Sequence, residues 1–405
     1  MEYGENSGRD RYMKKILIIH HGQGVGGGLI ALLGLIAQLK LQYFVTVFCI
    51  FDSVAVQILR RDGIHVIVAE SPFYKRHYDL FVHSDASFPS VLGELRKLSG
   101  LVLYFINTLI FAPATLRNIA ADYDIVYLNS VFVTDWARAA KRLSKKVVVH
   151  VREPLSKGFF GIRHALIRAV ARRYADLVIA ISEDNKRRID LPEITVRVYD
   201  PVYLSSVSTN RISVDPQLRY FTYVGGSQRI KGFEQLIDCL PYLNENIRIF
   251  FLGYDHELQG LTGWKFTIRK ALSSYSRRLP ALCDLLRASD QVVRVGISSD
   301  VFNYYKVSIA LISPFAAPHA SLPIMECLHL GKPVITSDVS GTEELVSSET
   351  GRIFRNGDAK ALAAAINDIS ALDQHTLDKM SAACQAKFTT ICASNPSVVE
   401  LLGAI

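Results

Sequence analysis

Twice along this 405-residue chain a short apolar run breaks directly into glycines and then into a helical pattern. Lys14-Lys15-Ile16-Leu17-Ile18-Ile19 leads into His21-Gly22-Gln23-Gly24-Val25-Gly26-Gly27-Gly28, and residues 29–40 follow with helical spacing. The pattern recurs as apolar 220–224, then Val224-Gly225-Gly226-Ser227-Gln228-Arg229-Ile230-Lys231-Gly232, then helical 233–243. A short apolar run without alternation is a strand buried on both faces, the kind found in parallel sheets covered by helices. Further strand-like runs at 44–51, 65–68, 125–128, 147–151 and 177–181, and again at 247–252, 292–295, 309–312 and 333–336, are separated by helical patterns. That alternation predicts an α/β architecture.

Residues 200–217, with Pro201, Pro216 and several serines, interrupt the alternation. The expected organisation is therefore a disordered 1–12, an α/β domain over 13–205, and a second over 206–385. A helical tail over 386–405 can pack back on the first domain. At 49% hydrophobic and 21% charged, the composition excludes a disordered chain.

The net charge of +8 favours polyanionic partners: nucleic acid, an anionic membrane face or phosphorylated small molecules. No nucleic-acid reading motif is recognisable, so no nucleic-acid partner is expected. The six cysteines show no CxxC or other metal-like spacing, and the first residues lack the apolar stretch of a signal peptide. Free thiols and a cytoplasmic location follow as expectations. Residues 101–112 are almost wholly apolar, but Asn107 and Thr108 interrupt them and Pro113 ends them. A spanning helix needs roughly 20 residues, so a buried or interfacial helix is expected.

Gly22, Gly24 and Gly27 fit GxGxxG between a strand and a helix, which would set a pyrophosphate on the helix N-terminus. A dinucleotide site also wants an acidic residue about 20 positions on, and Asp52 lies about 30 after Gly22. Two readings stand: a backbone that approaches a ligand closely, and a tight turn with none. At the second turn, Arg229 and Lys231 beside a helix N-terminus suit a diphosphate; surface cations at an ordinary turn are the alternative. The third cluster runs from Ser313-Pro314 through a loop into Pro323-Ile324-Met325-Glu326-Cys327-Leu328, then Gly331-Lys332-Pro333-Val334-Ile335-Thr336. Pro323 suits a first helical turn. Glu326, about one turn in, can accept both hydroxyls of a ribose, or be an ordinary solvated glutamate. Asp122-Tyr123-Asp124 has metal-binding DxD spacing but precedes a strand directly, as a solvated turn would.

Taken in order from about residue 13 to about 370, these motifs resemble the retaining glycosyltransferases of family 4, also called glycosyl transferases group 1. The residues that carry the resemblance are Gly26-Gly27-Gly28, Lys231-Gly232, Leu322-Pro323-Ile324-Met325-Glu326, Gly331-Lys332-Pro333-Val334-Ile335, Gly341-Thr342-Glu343-Glu344 and Thr350-Gly351…Gly357-Asp358. The resemblance implies the GT-B fold, two Rossmann-like domains facing each other across a cleft. It also implies transfer of a hexose, with retention, from a nucleotide-sugar donor to a glycan or lipid-linked acceptor in cell-surface polysaccharide synthesis.

Carried over residue by residue, it gives His150, Arg152, Lys231 and Glu326 as catalytic candidates. The donor-binding candidates are Gly26, Gly27, Gly28, Gly226, Arg229, Lys231, Ser321, Leu322, Pro323, Ile324 and Glu326. Neither metal nor cofactor is implied beyond the nucleotide-diphosphate sugar as co-substrate. Peripheral contact with an anionic cytoplasmic membrane face is implied too; the basic amphipathic stretch 157–173 is its candidate, with an ordinary core helix bearing a solvated basic face as the alternative reading.

Three departures qualify the match. Pro318 stands where the family's first glutamate would fall, eight positions before Glu326. Gly226 takes the place of an arginine, leaving Arg229 as its substitute. About 40 residues separate Gly253 from Val292, including Trp264-Lys265-Phe266 and Arg277-Arg278. In His150-Val151-Arg152-Glu153-Pro154, Arg152 replaces a second histidine, and a purely structural His150 stays open. Also open are a nucleotide-sugar epimerase of the same fold, a non-catalytic nucleotide-sugar-binding subunit and a nicotinamide-dependent oxidoreductase.

Overall fold

The computed structural model describes residues 13–78, 80, 91–155, 161–203, 211–253, 271 and 274–405, with the backbone alone for 91–98. The expected disordered N-terminus 1–12, residues 157–160 of the basic stretch, and Trp264, Lys265 and Phe266 lie outside the described residues. The chain forms two compact units, Met1–Tyr203 with Asn395–Ile405, and Leu204–Ser394.

The first unit is built on strands β1 (Lys15–His20), β2 (Phe44–Cys49), β3 (His65–Val68), β4 (Ile125–Leu128), β5 (Lys146–Val151), β6 (Leu177–Ala180) and β7 (Thr195–Arg197). They pair in the order β3-β2-β1-β4-β5-β6-β7, every pair parallel. The apolar β1 is buried because both its faces are covered. Leu17 and Ile19 join Val126, Leu128, Val147, Val149 and Trp136 on one side. Ile16 and Ile18 join Tyr127, Val148 and the helix Gly27–Leu39 on the other. Each such side chain contributes about 1.5–3 kcal/mol on burial.

The second unit uses β8 (Arg219–Val224), β9 (Ile247–Leu252), β10 (Val292–Gly296), β11 (Ala310–Ser313), β12 (Val334–Ser337) and β13 (Gly351–Phe354). Their order is β10-β9-β8-β11-β12-β13, again all parallel. Both sheets thus reverse their winding beside the first strand of the unit. In a doubly wound sheet that reversal opens a crevice at the carboxyl ends of the two strands, where ligands bind.

Three features depart from the sequence expectation. The short strands β7 and β13 have no apolar run of their own to announce them. Pro113 does not end the apolar helix: a π-turn, Asn107–Phe111, precedes it and a further helix, Ala112–Ile119, continues through it. A helix also runs unbroken from Gln374 to Ala393, so residue 386 falls in mid-helix. After it, Asn395 exchanges hydrogen bonds with Tyr199 (2.8 and 3.0 Å), and Val398 and Leu402 enter the core beside the helix Gly27–Leu39.

Candidate functional site

In the second unit, β8 delivers the glycine turn. The Gly225 and Gly226 amides both donate to the Leu252 carbonyl, at 3.0 and 2.9 Å, which folds the turn over the end of β9. Gly232 closes it at φ +81°, and a Cβ there would overlap the Pro314 carbonyl oxygen. No other residue type lets the turn after β8 lie so close to the turn after β11.

That approach brings Lys231 to the loop 314–321. Its Nζ lies 2.7 Å from His319 Nε2 and 5.0 Å from the centre of the Phe315 ring. Burial holds the Lys231 ammonium down to about 8. Burial, and then the Lys231 charge, holds the His319 imidazolium well below its usual range. An ammonium can only donate, so Nε2 accepts and the neutral imidazole carries its proton on Nδ1. His319 Nδ1 is buried without a hydrogen-bond partner, and so is Ser321 Oγ.

Ser321 precedes the helix Leu322–His329, with Pro323 in its first turn and no side-chain cap. The first-turn amides of Leu322 and Ile324 are therefore oriented outward at a helix N-terminus. The donors of this corner are the Lys231 ammonium, His319 Nδ1, Ser321 Oγ and these amides, and together they suit an anion.

The other candidates of this unit have partners within the protein. Glu326 is buried, and its Oε2 accepts from the Tyr305 hydroxyl at 3.0 Å; burial pushes its carboxyl up to about 7. Arg229 lies over the Tyr275 ring at 5.4 Å and 3.8 Å from Glu234, which also pairs with Arg278. The Tyr275 hydroxyl donates to the Ser227 carbonyl at 2.9 Å, so the helix Ser274–Ala288 braces the glycine turn from outside.

In the first unit, Gly26 is the N-cap of the helix Gly27–Leu39, with no side chain capping it. A Cβ at Gly24, Gly26, Gly27 or Gly28 would meet no protein atom within 4 Å. Beside this open helix start, polar side chains from four chain segments join in one line. His20 Nδ1, at the end of β1, lies 3.1 Å from Asn129 Nδ2. Asn129 Oδ1 accepts from Arg152 Nε at 2.8 Å, and Arg152 Nη1 donates to Asp200 Oδ1 at 2.6 Å.

His150 sits within β5 with Nδ1 2.7 Å from the Tyr127 hydroxyl. Burial holds the imidazoliums of His20, His21 and His150 down, to about 3 for His20 and about 4 for His21. Burial pushes the Glu153 carboxyl up to about 7. Around this sheet end, the buried atoms without partners among the described residues include His20 Nε2, His21 Nδ1, His150 Nε2, Arg152 Nη2 and Glu153 Oε2. Five orphaned polar atoms at one sheet end are far more than packing requires.

Sequence reasoning missed His20, Asn129, Asp200, His319 and Tyr305 as members of these clusters. His20 sits directly before the first glycine turn, which was a usable signal; the others come together only through tertiary contacts. Asp124 of the DxD-like pair accepts from the Lys15 amide at 2.7 Å. Among the described residues, no group of three or more His, Cys, Asp or Glu side chains is arranged to hold a metal ion.

The family model for glycosyl transferases group 1 matches residues 209–386, nearly all of the second unit. No curated protein matches the chain. Among solved structures it is similar to Anabaena Alr3699/HepE in complex with UDP and glucose, at 19% identity and TM-score 0.71, covering 97% of this chain and 100% of that one. It is similar to a glycosyltransferase from Rickettsia africae at 16% identity and TM-score 0.63, covering 96% of each chain. It is also similar to sucrose-phosphate synthase from Thermosynechococcus elongatus at 17% identity and TM-score 0.62, covering 96% and 98%. The two parallel α/β sheets are those of the GT-B fold.

Proposed function

We propose that this chain is a glycosyltransferase that moves a hexose from a nucleoside-diphosphate sugar to a glycan or lipid-linked acceptor, with retention, in cell-surface polysaccharide synthesis. The observation that carries the reading is the anion-suited corner at the switch point of the second unit. There Lys231, His319 Nδ1, Ser321 Oγ and the first turn of Leu322–His329 converge inside the region matched by the family model.

In this reading the corner takes the donor's diphosphate. As the bond from the sugar to the diphosphate breaks, negative charge grows on the leaving phosphate. A lysine and outward amides already in place stabilise that charge more than the ground state. His319 supplies a donor near the position where Pro318 replaces an acidic residue, so a group on the donor that accepts a hydrogen bond is favoured there. Glu326, tied to Tyr305, takes the ribose. In the first unit, Gly26, Gly27 and Gly28 offer backbone amides to an anionic group, and the unpaired nitrogens of His150 and Arg152 meet substrate hydroxyls. No metal or organic cofactor is needed in this scheme.

The similar Anabaena structure holds UDP, so UDP is the first ligand to try. Thermal unfolding against UDP, GDP, ADP, dTDP and NAD(P) tests the reading. A ligand of the folded state adds about 2.7 kcal/mol at roughly 100 times its dissociation constant. Stabilisation of the wild type by one nucleoside diphosphate, absent in Lys231→Ala, is expected. Stabilisation by NAD(P) alone would overturn the proposal in favour of an oxidoreductase.

A further inference from the structure

One continuous apolar helix, Ser99–Ile119, stands out in the first unit. Among the described residues it alone is long and apolar enough to cross a membrane, and most of its apolar stretch is not buried. Its inward side is fastened to the core. Asn107 Oδ1 accepts from the Tyr74 hydroxyl at 2.7 Å and its Nδ2 donates to Asp135 at 2.7 Å. The Tyr104 and Thr134 hydroxyls are 3.1 Å apart, and Phe111 stacks on Phe73 at 3.9 Å. A helix held along one side by these contacts does not span a bilayer.

The π-turn sets what faces outward. The buried positions run Tyr104, Asn107, Ala112, Leu116, and the long step from Asn107 to Ala112 falls where the Ala112 amide reaches the Asn107 carbonyl. An ordinary turn would bring Phe111 round instead; the wider turn keeps the two sides in phase along the helix. The outward side carries Val102, Phe105, Leu109 and Ile110, which are 53%, 45%, 57% and 58% exposed. Residues 99–116 contain no charged side chain; Glu94, Arg96 and Lys97 precede them on the same helix, and Arg117 follows, exposed on the last turn. Lys75 and Arg76 are exposed on the helix Pro72–Arg76, the one whose Phe73 stacks on Phe111.

The basic helix Ile162–Tyr174 does not offer such a surface. Its Ile167 is buried and Leu166 packs on the core, while Arg168 pairs with Asp190 at 2.7 Å and Arg172 with Glu193 at 3.7 Å. Ile162 is exposed at its start, but the rest of its apolar side and these two cations are engaged within the unit.

We propose that the outward side of Ser99–Ile119 lies in the surface of an anionic phospholipid bilayer, with Val102, Phe105, Leu109 and Ile110 at the acyl boundary and Lys75, Arg76 and Arg117 at the lipid phosphates. An exposed apolar stripe bounded by cations, with no acid over residues 99–119, matches an anionic leaflet in both chemistry and charge. The inference stands apart from the transfer reaction and needs no donor or acceptor.

Co-sedimentation of the full chain with phosphatidylcholine vesicles, with and without phosphatidylglycerol, tests it. Binding to the anionic vesicles and little to the neutral ones is expected. Leu109→Ser/Ile110→Ser should weaken binding at least about tenfold, since each side chain contributes apolar burial. Lys75→Glu/Arg76→Glu should weaken it about fivefold or more per cation. Arg172→Glu should leave it unchanged. Unaltered thermal unfolding of Leu109→Ser/Ile110→Ser would show that the loss is not misfolding. Equal binding to both vesicle types, wild-type binding by the serine variant, or no binding at all would overturn the proposal. So would a wild-type dimer in light scattering that the serine variant splits, because a second copy would then cover the stripe.

Discussion

Lys231 Nζ and His319 Nε2 lie 2.7 Å apart, joining the turn after β8 to the loop after β11. A cation has been placed against an imidazole and a phenyl ring, with no carboxylate partner among its described contacts. Such a lysine is destabilising for the empty protein, and in the proposed function it serves the diphosphate of the donor.

The first prediction follows from that pairing. The ammonium titrates near 8 in the fold against 10.5 when exposed, so the fold disfavours the protonated form, and stability rises as pH climbs through that window. Lys231→Met should therefore stabilise the ligand-free protein at pH 7 by about 1–2 kcal/mol, the full shift being discounted because the side chain keeps some contact with water. Turnover should fall roughly tenfold or more, since a charge-assisted contact is worth about 1.5–3 kcal/mol. Denaturant melts and donor turnover check both halves; a variant less stable than wild type sinks the account.

Asp135 offers a second test away from any proposed chemistry. Burial pushes its carboxyl up to about 7, although Asn107 and Tyr78 both donate to Oδ2. A raised carboxyl favours the fold while protonated, and that contribution is lost as pH rises from about 4 to about 7. Asp135→Asn keeps the acceptor and removes the charge. It should match wild type near pH 4 and exceed it by about 1–3 kcal/mol at pH 8. A difference that does not change with pH would show that Asp135 is not the titrating group.

Gly232→Ala should lower stability by about 3 kcal/mol or more. The new Cβ adds a left-handed backbone penalty to direct overlap with Pro314. Gly26→Ala meets no neighbour and has an extended φ of −139°, so it should melt close to wild type. Thermal unfolding of both variants decides, and a mild Gly232→Ala would mean the two turns are not in contact.

Arg152 and Asp200 are 6% and 13% exposed and 2.6 Å apart. Arg152→Ala leaves a buried carboxylate alone and should cost about 3–5 kcal/mol. Removing Asp200 as well should recover much of that loss. A double variant as unstable as the sum of the singles would rule out their coupling.

Much of this was legible in the sequence. The central strands announce themselves because burial on both faces demands unbroken apolar runs, as in Ile16-Leu17-Ile18-Ile19. The edge strands β7 and β13 do not, because an edge is half solvated and tolerates Arg197 or Arg352. Lys231 was visible from its place beside the glycine turn, whereas His319 was not: its value lies in a partner 88 residues away. Pro113 misled because proline normally ends a helix by removing a backbone bond, and the π-turn before it was not legible in local propensity. Asp200 lay in a stretch read as linker and is instead the buried counter-ion of Arg152.

The return of residues 395–405 to the first unit governs how this molecule can be taken apart. Val398 and Leu402 share a core with Leu29 and Leu32, so a chain cut after Tyr203 bares that apolar floor. Such a fragment should aggregate, while one that rejoins 395–405 to the N-terminal stretch through a short linker, or carries it by circular permutation, should remain soluble. The two ends of the sequence therefore have to be inherited together, and recombination that exchanges the second unit must splice at two places rather than one.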